Sequence, residues 1–144
     1  MKKNILILLL ASFSATSSFA DACPNLSGTF QLIAQGHPYA VLTIKQTDCD
    51  SIQIKSTFGM GSEMDYKTDG TPTTTPQKGI TADNFSVSGK YADDVLIEND
   101  IYGTPAKLQQ QNVYRLDQSG NLVLKMVDPN RPQDDSVILT SKRQ

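Results

Sequence analysis

The chain of 144 residues has no tryptophan, one histidine and two cysteines. Each scarcity excludes a chemistry. A serine or cysteine nucleophile needs a nearby base, and His37 stands alone in Gly36-His37-Pro38-Tyr39, so it reads as a solvated turn residue rather than as half of a catalytic pair. Two cysteines without a C-x-x-C spacing give neither a redox pair nor a zinc-ligand set. Charge of one sign is lacking too: 13 basic residues stand against 15 acidic ones, a net charge of −2, and no basic stripe runs through the chain. Nucleic-acid binding is therefore not expected. No low-complexity tract, linker or internal repeat breaks the chain, and no apolar run approaches the roughly 20 residues that a membrane-spanning helix needs.

The longest apolar run, Ile5 to Leu10 with Ala11, follows Lys2 and Lys3 and leads into the small residues Ser12 to Ala20. A basic start, a short apolar stretch and a small-residue end are the grammar of a cleavable secretory signal peptide. Ser18-Phe19-Ala20 puts small residues at both positions that a signal peptidase reads, so residues 1–20 are expected to leave, with Asp21 as the new N-terminus. Cleavage before Cys23 is the second choice. Lipidation of Cys23 fits badly, because Asp21 stands where small neutral residues are wanted. Removing Lys2 and Lys3 leaves 11 basic residues against 15 acidic ones, a net charge of −4 over residues 21–144. That length holds one core and is too short for two domains. In an exported chain, Cys23 and Cys49 are expected to pair as a disulfide. Localisation is read as periplasmic or secreted.

From Leu26 onward, apolar and polar residues alternate with period two, the mark of half-buried strands. Leu26, Gly28, Phe30, Leu32 and Ala34 share one face. So do Ala40, Leu42 and Ile44, then Ile52, Ile54, Ser56 and Phe58, then Met64, Tyr66 and Thr68, and later Phe85, Val87, Gly89 and Tyr91. Asp69-Gly70 and Asp117-Gln118-Ser119-Gly120-Asn121 are turn sequences. Thr71 to Pro76 is bounded by prolines and fits only a short edge-like strand or a loop. Val95 to Tyr102, Leu108 to Leu116, Leu122 to Met126 and Ser136 to Lys142 complete the set. Ala106 to Asn112 has some helical character but is flanked by β-like sequence and is read as strand. About eight to ten short antiparallel strands with hairpin turns predict an all-β meander, and a meander of this length removes its edges by closing into an up-and-down barrel. A β-sandwich is the alternative.

Leu26-Ser27-Gly28-Thr29-Phe30 resembles the Leu-x-Gly-x-aromatic opening of lipocalin-like (calycin) barrels, with phenylalanine where that family usually has tryptophan. In those barrels a basic residue of the last strand packs over the aromatic and closes one end. The resemblance implies that role for Arg143, which shares a face with Val137, Leu139 and Ser141. Ser88-Gly89-Lys90-Tyr91 is similar to a short stretch of periplasmic inhibitors of C-type lysozyme, but their companion Tyr-x-x-x-Thr-Lys-Gly motif is absent here.

The aspartate pairs Asp93-Asp94 and Asp134-Asp135 fall at turns, where aspartate bonds its own backbone. The Asp117 turn lacks the glutamate that closes a calcium loop. No metal site, cofactor or catalytic residue is expected, and the chain is not read as an enzyme. The aromatics carry the functional reading. Phe58, Tyr66, Phe85 and Tyr91 fall on inward positions of their strands and are the expected lining of an interior ligand site, with Phe30 as structural core. The expected function is noncatalytic binding of a small apolar or amphipathic ligand in the barrel. The alternative is a filled barrel that meets a protein partner through its loops, for example as an inhibitor of a secreted or periplasmic enzyme. A void of ~300 Å³ or more lined by those aromatics would favour the first.

Overall fold

The structure is a computed structural model that describes residues 23–59, 61–74, 84–131 and 137–143. The signal-peptide expectation and the Asp134-Asp135 turn lie outside the described residues, as does the side chain of Arg143. Among the described residues, nine strands form one antiparallel sheet: β1 Gly28–Ala34, β2 His37–Thr47, β3 Ser51–Ser56, β4 Ser62–Lys67, β5 Ser86–Ala92, β6 Val95–Tyr102, β7 Lys107–Leu116, β8 Leu122–Val127 and β9 Val137–Arg143. Each pairs with its sequence neighbours, except that β4 and β5 share no strand ladder and β1 pairs with β9. That pairing leaves β4 and β5 as the two edges of the sheet, and contact between those edges curls it into a nearly closed barrel. Ala106 to Asn112 is strand from Lys107 onward.

Local chemistry sets the turns. Gln35 and Gly36 both have positive φ, 50° and 81°, as a tight two-residue hairpin requires. The strand resumes at once at His37 rather than after Pro38, because the register shift between Leu32 and Ile33 gives Pro38 a place beside a bulge. In the β7–β8 turn, Asp117 Oδ1 accepts the backbone N–H of Ser119 (2.8 Å) and of Asn121 (2.9 Å). That is the hairpin reading of the segment.

The count of strands has a topological consequence. In an antiparallel ring neighbours must alternate in direction, so nine strands cannot close without one parallel contact. The structure places that contact between β4 and β5, which run the same way. The chain after the Asp69-Gly70 turn runs back between them, touching β5 through two isolated bridges, Asp69 to Lys90 and Thr73 to Val87. Among the described residues, these two bridges are what links the segment to β5 at the seam.

One end of the barrel carries the disulfide and is sealed. Cys23 and Cys49 are bonded, with Cα atoms 5.7 Å apart. Gln46 accepts the N–H of Leu26 (2.9 Å) and donates to the carbonyl of Asp48 (2.7 Å). These contacts tie the N-terminal strap across the disulfide end, so that Leu26 plugs it. Leu26, Phe30, Leu96 and Leu122 are wholly buried, and Ile44, Ile52 and Ile54 are 1% exposed. Surfaces with no accessible area border no space a water can enter, so this half of the interior is filled. The register sets Arg143 opposite Phe30 on the neighbouring strand, the position that the calycin resemblance implies for the closing residue.

Candidate functional site

The strand periodicity that makes the core also carries polar groups into it. On β6, Leu96, Glu98 and Asp100 follow one another on the inward face until a register shift after Asp100. Across on β7 stand Tyr114, Asn112 and Gln110, paired in register with those three. Glu98 is wholly buried. Its carboxylate accepts from three donors: the hydroxyl of Tyr66 on β4, the Nδ2 of Asn112 at 2.7 Å and the hydroxyl of Tyr114 at 3.0 Å. Asn112 Nδ2 also reaches Asp100 Oδ2 at 3.4 Å, and its Oδ1 accepts from Gln110 at 2.8 Å. A buried charge survives only when paired or fully hydrogen-bonded, and Glu98 is held by three neutral donors.

Tyr66 reaches this network across the seam because its partner there is a glycine. A Cβ placed on Gly89 would lie 2.4 Å from Tyr66 Cε2 and 2.9 Å from Cδ2. The ring therefore lies on bare backbone of β5 and its hydroxyl reaches β6. This accounts for Gly89 in the Ser88-Gly89-Lys90-Tyr91 stretch. Ser88, on the other face of the strand, is also buried, so two of these four residues offer no exposed side chain to a partner.

Burial raises the pKa of Glu98, and its three donors work against that rise. Burial, and then the charge of Glu98, hold the hydroxyls of Tyr66 and Tyr114 well above the usual tyrosine range. Asp100 lies one step nearer the opposite end of the barrel. Burial first and Glu98 second push its carboxyl up to about 7, against the Asn112 hydrogen bond. Its Oδ1 is shut off from solvent and has no hydrogen-bond partner, and the same holds for the hydroxyl of Tyr91. Among the described residues, no group of three or more His, Cys, Asp or Glu side chains is arranged to hold a metal ion.

Of the aromatics expected to line the interior, Tyr66 is inside, at 2% exposure. Phe58 is not. It lies beyond the end of β3, 57% exposed, and stacks on Tyr39 with ring centroids 4.8 Å apart. The alternation that places Ile52 and Ile54 inward stops at Ser56, where the chain turns. Phe85 and Tyr91 pack at the edge of the core. They sit at opposite ends of β5, about 20 Å apart at strand rise, and Phe85 stacks on Tyr102 at 6.3 Å. The four therefore form no common lining. A cavity of about 370 Å³ exists at the disulfide end, but Cys23, Asn25, Ser27, Gln46, Asp48 and Cys49 line it, and no aromatic contributes. Sequence reasoning missed Glu98, Asn112 and Tyr114. The available signal was the pair Glu98 and Asp100 two apart behind Leu96, on the face that periodicity assigns to the core.

An antiparallel meander whose first and last strands pair, with a seam between β4 and β5, is a nearly closed up-and-down β-barrel of calycin-like fold. A solved structure of a mutant of the fluorescent protein UnaG is similar to it, with a TM-score of 0.58 and 15% identity, over 82% of this chain and 95% of that one. At that identity the likeness is one of fold. No family model and no curated protein matches the sequence.

Two outcomes follow from the network. Gly89→Ala should destabilise the protein by about 1 to 3 kcal/mol through overpacking against the Tyr66 ring, measured by urea denaturation. In a Tyr66→Ala background the same change should cost almost nothing, and equal costs in both backgrounds would refute the contact. The second outcome concerns pH. An unfolded chain releases the Asp100 proton near the ordinary carboxylate value of about 4, whereas the folded chain keeps it to about 7. Stability should therefore fall as pH rises through that window, by at most about 1.4 kcal/mol per pH unit, and level off above it. Asp69, Asp117 and Asp128, whose hydrogen bonds lower their pKa values, act in the opposite sense and only below that window. The urea midpoint should rise between pH 7.5 and 5, and Asp100→Asn should flatten the rise.

Proposed function

We propose that this protein is a noncatalytic, exported binding barrel. In this reading residues 1–20 are removed as a signal peptide, residues 21–144 form one domain in the periplasm or outside the cell, and the barrel takes a small apolar or amphipathic ligand. The observation that carries the reading is the division of the interior into two halves. Toward the disulfide end the inward side chains are sealed against each other. Beyond Glu98, toward the opposite end, Ala34, Asp100, Gln110 and Met126 are only partly buried. A fold with a calycin interior, packed at one end and accessible at the other, has the shape of a one-mouthed pocket. Export rests on the sequence grammar of residues 1–20, and the Cys23–Cys49 disulfide agrees with an oxidising compartment.

A second reading has its own observation. The stacked pair Tyr39 and Phe58 is 42% and 57% exposed, at the accessible end. Exposed aromatics of this kind suit a protein partner.

The two readings differ in a simple titration. Nile red, a neutral apolar dye, should bind the purified protein at one site with micromolar affinity and gain fluorescence. Leu42→Arg, a charge placed in the core wall, should abolish that binding, whereas Phe58→Ala should weaken it less than threefold. Loss of binding with Phe58→Ala alone would move the site to the surface and favour the second reading. For export, the intact mass of protein recovered from the culture medium or periplasm should correspond to a chain that begins at Asp21. A chain retaining Met1 would overturn it.

A further inference from the structure

The cavity of about 370 Å³ at the disulfide end lies over a sulfur–sulfur bond. Of the two cysteines that line it, Cys49 is exposed and Cys23 is half-buried. Each sulfur accepts one N–H: Cys49 Sγ from the backbone of Cys23 at 3.3 Å, and Cys23 Sγ from Gln46 Nε2 at 3.2 Å. Their electrostatic surroundings differ. Cys49 lies between Asp48 and Asp50 in the chain, and both are exposed. Neighbouring carboxylates disfavour a further negative charge on Cys49. Cys23 is therefore the better leaving sulfur, and Cys49 the sulfur open to attack.

The same bond is the covalent part of the strap that seals this end. Residues Cys23 to Ser27 precede β1, which begins at Gly28, and among the described residues no strand ladder includes them. Gln46 adds hydrogen bonds: its Oε1 accepts the Leu26 N–H at 2.9 Å, and its backbone N–H donates to Ser27 Oγ at 3.1 Å. The ladders that join β1 to β2 and to β9 use Gly28 and later residues, so the ring does not need the strap to close.

We propose that the Cys23–Cys49 disulfide is a redox latch, opened by a small thiol without an anionic group that enters this cavity, and that opening it frees the strap and unseals the Leu26 end while the barrel stays folded. In the first step the thiolate of the reagent bonds to Cys49 Sγ. The S–S bond breaks, and its electron pair leaves on Cys23 Sγ as a thiolate. A second thiolate then attacks the reagent's sulfur in the mixed disulfide, and Cys49 leaves as a thiolate. Two thiols end as their own disulfide, and two electrons have passed to the protein. A cavity at the small end of the roughly 300 to 1,000 Å³ range admits a small molecule rather than a folded reductase. Asp48 and Asp50 repel an anionic reagent and attract a cationic one, by a factor that shrinks as salt is added. Once the bond is open, Gln46 and the burial of Leu26 hold the strap without a covalent tie, and a segment held in that way opens locally before the fold does.

The test compares cysteamine, 2-mercaptoethanol and 2-mercaptoethanesulfonate on the purified, oxidised protein at mildly alkaline pH and low salt. Reaction is quenched with iodoacetamide, and the products are mapped by mass spectrometry. The same reagents acting on bis(2-hydroxyethyl) disulfide, a neutral compound, give their intrinsic reactivities. Corrected for these, cysteamine should open the folded protein at least threefold faster than 2-mercaptoethanesulfonate, and Asp48→Asn with Asp50→Asn should remove the difference. The trapped mixed disulfide should sit on Cys49, at least fivefold over Cys23. In protein carrying both Cys23→Ser and Cys49→Ser, hydrogen exchange at the Leu26 amide should quicken at least tenfold, while the amides of β6 and β7 keep their protection. Loss of protection in β6 and β7 as well would overturn the proposal, because the bond would then hold the whole fold and not the strap. So would an adduct mainly on Cys23, equal corrected rates for the three thiols, or reduction that proceeds only at the rate of global unfolding. The adduct position and the reagent ranking are read on the unsubstituted protein, so they decide the matter whether or not the variants fold.

Discussion

The carboxylate of Glu98 is the group on which the middle of the barrel depends. It sits where the interior is driest and draws hydrogen bonds from β4 and β7 onto β6. Removing one donor would leave a buried acceptor short of a partner, and removing the acceptor would strand three donors. Either loss is more costly than exchanging the whole set for apolar residues of the same shape. The network therefore acts less as a source of net stability than as a device for uniqueness: only one register of β6 against β7 puts Glu98 beside Asn112 and Asp100 beside Gln110. A slip by one residue would turn both carboxyl groups outward and carry Ile97 and Asn99 in.

The same bond mends the weak place in the ring. Among the described residues, nine strands leave a parity defect between β4 and β5, where the short return after Asp69-Gly70 makes two bridges. Backbone hydrogen bonds are sparse there, and side chains take over. Tyr66 spans the seam, its ring against Gly89 and its hydroxyl on Glu98. The missing Cβ at Gly89, the buried acid on β6 and the proline-bounded segment from Thr71 are thus parts of one solution.

Much of this was legible in the sequence. Period-two alternation and turn chemistry marked the strands and the meander, and the calycin-like opening at Leu26 to Phe30 pointed to closure by the first and last strands. The pairing of Cys23 with Cys49 followed from an even cysteine count in a chain expected to be exported. The buried polar network was not legible, for two physical reasons. Parity assigns a face only while a strand lasts, so Phe58, two residues beyond the end of β3, inherited an inward label that the turn cancelled. Hydropathy, in addition, treats a glutamate on an apolar face as an irregularity. Whether it is a solvated edge or a satisfied core group depends on donors from β4 and β7, which lie 32 and 14 to 16 residues away in the chain, and their convergence is decided only when the ring closes.

The division of the interior follows from how each end is built. At the disulfide end the strap through Leu26 is fixed by Gln46 and the Cys23–Cys49 bond, so apolar side chains can pack to full density without a mouth. The opposite half has no such strap among the described residues, and its inward positions change from leucine and isoleucine to Asp100, Gln110 and Ala34. Leucine at these three would bury more apolar surface, worth roughly 1.5 to 3 kcal/mol for each side chain fully buried. A chain that forgoes that stabilisation keeps a polar half inside the barrel, which is what the proposed binding reading asks of it. Its stability depends on one of those polar groups in particular: burial pushes the Asp100 carboxyl up to about 7, so ionising it weighs against the folded state.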